Sequence, residues 1–589
     1  MKRNSKIMMS LLVTAMAVIL CGCTETVQVK EEAPVDSEVQ EEVQEEIQEE
    51  IQEAAEENFE SEEVSEPMVE CSTGKYIGTN TDGILAFKGI RYAKPPVGEL
   101  RWKAPEPIEK STETFDATHF GKTAFQVKSD SEQASLNPEG MSEDCLTLNV
   151  WTKDPETKGK PVMFWIHGGA FSYGGTADPL YDGSCIVAEH PDVVVVSCNY
   201  RVGPMGFIDF SKVEGGEAFP TSGYNGILDQ IEGLKWVQEN IEAFGGDPEN
   251  VTIFGESAGG GSVAILLCSE GTNGLFKHAI AESGSVNFTM THERFDEIGA
   301  AAALMNKANA KNMDDLMAIS EEDLYDLYVD DSEGKSIATM SVLPLRGEDS
   351  IIPEDPYQAI LDGAGKDVDL IIGTTADECR YFADSLFDPS CSAVEGEERE
   401  KMTKTKLDLY SKTLVGEKLD RVINMCTEEE KANINEFLKL YENEEEIWQK
   451  TELVNEYGFR SPAIKVAYNH AMAKGTGKTY MYYFCKKNTL IDWIGACHAC
   501  ELAYVFHNFA DEQFSGPVLP ELADAVCGAW TNFAIVGDPN SDLVEWPEYS
   551  PENRETIFFN DDGTTSIEND PKAKERELID SILHYYVAL

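Results

Sequence analysis

The chain has 589 residues, 42% hydrophobic and 26% charged, a globular composition with length to spare for a large core. Its net charge is −60, with +3 on the first 23 residues, −18 on residues 24–70 and −45 on residues 71–589. So acidic a body repels phosphate backbones, which excludes nucleic acid as a partner. Fourteen cysteines without regular spacing are too dilute for a disulfide scaffold.

Met1-Lys-Arg-Asn-Ser-Lys6 is basic, and Ile7 to Leu20 is an apolar stretch of signal-peptide length, too short to span a bilayer comfortably. Leu20-Cys21-Gly22-Cys23 resembles a bacterial lipoprotein lipobox. Cys23 fits because the small Gly22 precedes it, and Cys21 does not because Leu20 is bulky. The resemblance implies a signal peptide over 1–22 and acyl chains on Cys23 that anchor the protein to the outer face of a bacterial membrane. Residues 23–70 follow as an acidic low-complexity segment with the repeat Gln40-Glu-Glu-Val43, Gln44-Glu-Glu-Ile47, Gln48-Glu-Glu-Ile51. A strict period of four overshoots the 3.6 residues of a helical turn, and dense like charge opposes compaction, so a solvated stalk is expected.

The body, 71–589, begins with short strands and turns such as Gly83-Ile-Leu-Ala-Phe-Lys-Gly89. Strands are predicted over Glu143–Trp151, Lys160–Ile166 and Val193–Cys198. The last is continuously apolar, as in a strand covered on both faces. Asn225–Phe244 has helical spacing and ends at Gly245-Gly246. Val251-Thr-Ile-Phe-Gly-Glu-Ser257-Ala-Gly259 reads as a strand closing into a G-x-S-x-G turn and then a helix. Such a turn lifts a serine Oγ clear of the backbone and aims a helix N-terminus at it. Strands follow at Asp369–Gly373 and Thr479–Phe484, and the charged region 386–450 is predicted to be a peripheral helical insertion. Strands alternating with helices predict a largely parallel α/β sheet.

Gly89-Ile-Arg-Tyr-Ala, Glu143-Asp-Cys-Leu-Thr-Leu-Asn-Val, His167-Gly-Gly-Ala-Phe, Asn199-Tyr-Arg-Val-Gly, Asn225-Gly-Ile-Leu-Asp-Gln, Phe244-Gly-Gly-Asp-Pro and Phe254-Gly-Glu-Ser-Ala-Gly-Gly occur in one order. Together they resemble the type-B carboxylesterases, a family that includes the cholinesterases, over residues 71–560. The resemblance implies an α/β-hydrolase fold, a mostly parallel central sheet with helices on both faces and helical insertions. It also implies a serine carboxylesterase acting on a small-molecule ester.

A serine nucleophile needs a base, an orienter for that base and oxyanion donors. The base, after Ser257 in the chain, is His498 in Ile494-Gly-Ala-Cys-His-Ala-Cys500. This matches the family's G-A-x-H segment, with Ala499 where the family has glycine. His470 and His584 sit on helical stretches and read as surface or packing residues. For the acid, spacing leaves Asp377 and Glu378 open, and the resemblance of Gly373-Thr-Thr-Ala-Asp-Glu378-Cys-Arg to the family's G-x-x-x-D-E-G assigns Glu378. The resemblance also implies oxyanion donors at Gly169, Ala170 and Ala258, and places Ser283 behind the histidine. The mechanism calls for no metal or cofactor.

Two further signals are set aside. Lys474-Gly-Thr-Gly-Lys-Thr479 lacks the first glycine of a P-loop, which would fall at Met472. Cys497 and Cys500 have C-x-x-C spacing but no second ligand pair nearby, and oxidation of the pair would constrain the histidine loop. The competing functions are a non-catalytic adhesion protein on a hydrolase scaffold, marked by loss of the serine or histidine, and a polysaccharide acyl esterase or lipase.

Overall fold

A computed structural model describes residues 66–126, 138–329, 342–384, 416, 419–490, 493–510 and 514–582. The apolar stretch 7–20, Cys23, the repeat at 40–51, His584 and residues 386–415 and 417–418 of the expected insertion lie outside the described residues. One compact unit begins at Glu66. No helix among the described residues is long and apolar enough to cross a membrane.

The described residues hold fourteen strands: β1 (Met68–Cys71), β2 (Gly74–Ile77), β3 (Thr79–Thr81), β4 (Ile84–Arg91), β5 (Thr114–Asp116), β6 (Thr147–Thr152), β7 (Lys160–Ile166), β8 (Val194–Cys198), β9 (Gly246–Glu256), β10 (His278–Glu282), β11 (Asp369–Thr375), β12 (Thr479–Phe484), β13 (Glu555–Phe559) and β14 (Thr565–Asn569). β1 takes in Met68–Glu70, which the sequence reading grouped with the acidic stalk. Eleven strands form one sheet in the order β14-β13-β12-β11-β10-β9-β7-β8-β6-β4-β3. The stretch from β8 to β13 is parallel throughout, and antiparallel pairs finish both edges. This is the α/β-hydrolase architecture expected from the alternation of strands and helices.

Two apolar cores cover the two faces of the sheet. Along β7, Val162, Phe164 and Ile166 enter one core while Met163 and Trp165 enter the other. The period-two alternation of side chains makes a continuous apolar run the right sequence for a strand buried on both faces. Helix α1 (Asn225–Asn240) packs under the first core and ends in a 3-10 turn at Ile241–Phe244, where Gly245 takes φ 93°. Two of the motifs that carry the family resemblance meet there. Arg201 makes a two-pronged ion pair with Asp229, both fully buried, at 2.6 and 2.8 Å. Arg101 and Glu143 form a second such pair, and β6 starts at Thr147 rather than Glu143 because Cys145 N–H and Thr147 N–H bond back to Glu143 O and Cys145 O instead of joining the ladder. Removing one partner of a buried pair strands the other charge, at a typical cost of about 3–5 kcal/mol.

Helix α2 (Ala258–Cys268) leaves β9 and is buried along its whole length. Further on, α3 (Glu446–Asn455) and α4 (Ser461–Met472) are joined by a π-helical turn, Glu456–Arg460. The cause is Pro462. It has no N–H to give to the Gly458 carbonyl four residues back, so the turn widens, Ser461 N–H reaches Glu456 O, and Asn287 Nδ2 supplies the Gly458 carbonyl at 2.9 Å. Lys572, just before α5 (Ala573–Ile579), lies 3.6 Å from Glu452 and 3.9 Å from Glu456, tying the C-terminal helix to that turn.

Candidate active site

Ser257 occupies the junction of β9 and α2 with φ 58° and ψ −120°, a conformation that L-residues rarely adopt. The fold enforces it. Ser257 N–H donates to Glu282 O of β10 at 2.9 Å, and its carbonyl receives Gly261 N–H at 2.8 Å, the first bond of the helix. A Cβ on Gly255 would lie 2.5 Å from Ile166 O and 2.7 Å from Gly259 C, and one on Gly259 would collide with Ile166 O. Only glycine allows strand and helix to approach this closely. Ser257 is half-buried between fully buried neighbours.

The base and acid candidates meet. Glu378 follows β11, His498 lies in the loop after β12, and their side chains join at Nδ1···Oε2 2.5 Å. Glu378 Oε1 also accepts Thr375 N–H at 2.8 Å, and His498 N–H donates to Glu378 O at 3.3 Å. Both side chains are almost completely buried. Asp377, the rival acid by spacing, points elsewhere: its Oδ2 accepts Ala496 N–H at 2.9 Å and its Oδ1 lies 3.1 Å from Arg380 Nε.

His498 Nε2 lies 3.1 Å from Glu256 Oε1, but the two are not aligned for a hydrogen bond, and each buried atom is left without a hydrogen-bond partner. Burial, with Glu378 adding to it, pushes the Glu256 carboxyl well above the usual carboxylate range. Two more glutamates lie behind it. Glu501 accepts hydrogen bonds from Ser283 Oγ at 3.3 Å and Tyr482 OH at 3.2 Å, and burial pushes it up to about 8. Glu282 accepts Trp530 Nε1–H at 2.7 Å and is likewise driven up by burial. Ser283 is thus one residue removed from the histidine loop through Glu501.

The loop after β7 turns through three positive φ angles in succession, Gly169 (104°), Ala170 (53°) and Phe171 (56°). It lies against the serine turn, since a Cβ on Gly168 would stand 3.1 Å from Ser257 Cβ. His167 holds the start of this loop, its ring stacked on Tyr200 at 4.4 Å and its Nδ1–H donating to Gly168 O at 2.8 Å. Burial lowers it to about 4, so the ring is neutral. Ala258 opens α2 beside Ser257, with the positive end of the helix dipole at its N–H.

Aromatic rings surround His498: Phe459 of the π-turn at 5.1 Å, Phe382 at 5.4 Å and Tyr381 at 5.7 Å. Phe288 packs edge-on against Phe459 at 5.8 Å. Glu256, Glu282, Glu501 and these rings escaped the sequence reading. Glu256 stands inside the quoted G-x-S-x-G turn, and Pro462 in a helical run was the available sign of the turn that presents Phe459.

Residues 65–579 match the model of the Carboxylesterase family. The chain belongs to that family. It is 37% identical over 526 residues to the para-nitrobenzyl esterase of Bacillus subtilis, covering 87% of this chain and 98% of that protein. It is 30% identical over 522 residues to the acetylcholinesterase of Leptinotarsa decemlineata, covering 81% and 79%. Among solved structures it resembles a thermophilic PNB esterase, with TM-score 0.69, 35% identity and coverage of 87% and 100%. It also resembles the Geobacillus stearothermophilus carboxylesterase EST55, with TM-score 0.70, 33% identity and coverage of 87% and 99%. The protein is a carboxylic ester hydrolase with the α/β-hydrolase fold. The adhesion-protein alternative therefore falls away.

Proposed function

We propose that this carboxylesterase works through an acyl-enzyme on Ser257, with His498 as general base and Glu378 as its orienter. The observation that carries the reading is the 2.5 Å contact of Glu378 Oε2 with His498 Nδ1, beside a serine held at a strained strand-to-helix turn. Nε2 has no hydrogen-bond partner at rest, and the mechanism gives it one, the Ser257 hydroxyl. His498 takes that proton as Oγ attacks the ester carbonyl. The tetrahedral oxyanion is received by the N–H groups of Gly169, Ala170 and Ala258. The alcohol leaves with the proton from His498, and water repeats the attack on the acyl-enzyme.

The test is hydrolysis of short-chain p-nitrophenyl esters by the protein and by Ser257→Ala, with mass mapping of the residue labelled by an organophosphonate. Turnover that vanishes in Ser257→Ala, with the label on Ser257, is the expected result. Turnover surviving in the variant, or a label elsewhere, overturns the assignment.

For the N-terminus, the lipobox-like Leu20-Cys21-Gly22-Cys23 supports cleavage before Cys23 and lipid anchoring of an extracytoplasmic enzyme, with 23–70 as its stalk. Cys23→Ser should release the protein from the membrane fraction and abolish incorporation of labelled fatty acid. An unchanged distribution rules the anchor out.

A further inference from the structure

We infer that Asp377 and Arg380 form a clamp that sets the spacing of the acid and histidine loops, with Asp377 as a positioning residue for the reaction. This rests on the triad reading above. Asp377 immediately precedes Glu378, and Ala496 stands two residues before His498. The two are joined both ways, Asp377 N–H to Ala496 O at 2.8 Å and Ala496 N–H to Asp377 Oδ2 at 2.9 Å. Arg380 closes the other side. Its Nε is 3.1 Å from Asp377 Oδ1, and its Nη1 donates to Trp493 O at 3.0 Å, so one ion pair grips residues 493 and 496 of the histidine loop together.

The fit is close. Gly495 takes φ 66°, and a Cβ there would lie 2.6 Å from Asp377 Cγ. The guanidinium lies 4.8 Å over the Trp448 ring of α3, which keeps it from swinging into solvent. Asp377 and Arg380 are only 13% and 24% exposed, so their pairing is partly shielded from screening. A carboxylate hydrogen-bonded to one loop and ion-paired to a residue on its own loop transmits any shift of Glu378 to His498.

The experiment compares the full-length protein with Asp377→Ala, Arg380→Ala, the double variant and Ser257→Ala. kcat is expressed per active site titrated with an organophosphonate, with KM and thermal melting alongside. A misplacement of about 1 Å can reduce rate on the order of 100-fold. Asp377→Ala is therefore expected to lower kcat per titrated site by about ten- to a hundred-fold, with KM within about three-fold. Arg380→Ala should lose less, and the double variant no more than Asp377→Ala, because the two act as one unit. kcat per titrated site within about two-fold of the parent, with only the melting temperature lowered, overturns the clamp, as do losses that add in the double variant. Activity persisting in Ser257→Ala would instead unseat the triad reading.

Discussion

Glu256 and Glu378 face opposite edges of one imidazole, Glu378 2.5 Å from Nδ1 and Glu256 3.1 Å from Nε2 of His498. They are not equivalent. Glu378 accepts a backbone N–H at its other oxygen, whereas Glu256 Oε1 accepts nothing and burial drives its carboxyl toward the neutral form. A carboxyl biased toward its neutral form puts less negative charge at Nε2, the nitrogen to which the proposed mechanism gives the serine proton.

The asymmetry sets up a direct comparison. Glu378→Gln should lower kcat/KM by roughly 10³–10⁴-fold, because an amide holds the imidazole less well and permits the wrong tautomer. Glu256→Gln keeps the shape of a side chain that burial already biases toward its neutral form, and should lose no more than about ten-fold. Steady-state kinetics on p-nitrophenyl acetate decide, and the reverse order would make Glu256 the orienter.

Phe459 stands against His498 with Phe382 and Phe288 around it. Truncating it opens space beside the reacting carbonyl, where each added methylene is worth about 1–3 kcal/mol. Phe459→Ala should therefore shift the acyl-chain profile toward octanoate over acetate by at least about ten-fold in relative kcat/KM. A profile that keeps its shape would make the ring a packing residue only.

The Glu501 carboxyl, raised by burial to about 8 from 4.5, makes stability depend on pH. Between these values the folded protein keeps a proton that the unfolded chain has released. Stability from this source is complete below pH 4.5 and is lost as pH rises to about 8, at about 1.4 kcal/mol per pH unit. Glu501→Gln preserves an acceptor for Ser283 and Tyr482 and removes the titration. Thermal melts between about pH 5.5 and 8.5 should fall less steeply for the variant than for the parent. Parallel curves would contradict this.

The parts of the site legible in the sequence are those whose chemistry is local. The serine turn announces itself because glycines must flank it within a few residues. β7, β8 and β12 were visible because burial on both faces demands unbroken apolar runs. His498 and Glu378 could be placed only through family resemblance, since spacing alone left Asp377 open. Asp377 instead binds Ala496, 119 residues away, a relationship that no local pattern encodes. His470, expected at the surface or in packing, is buried, with Nδ1 2.8 Å from Thr479 Oγ1. Glu256, Glu282 and Glu501 escaped notice because a carboxylate in sequence carries no mark of its burial.

The π-turn at Glu456–Arg460 puts the aim of Phe459 under the control of Pro462, a residue outside the ring cluster. A residue at position 462 able to donate its N–H to Gly458 would release Asn287 and let α3 and α4 wind as one regular helix. Phe459 would then swing by roughly the 100° that separates successive residues of an α-helix. Phe459, which faces His498 at 5.1 Å, is thus aimed by how a helix winds and not by its own side chain alone.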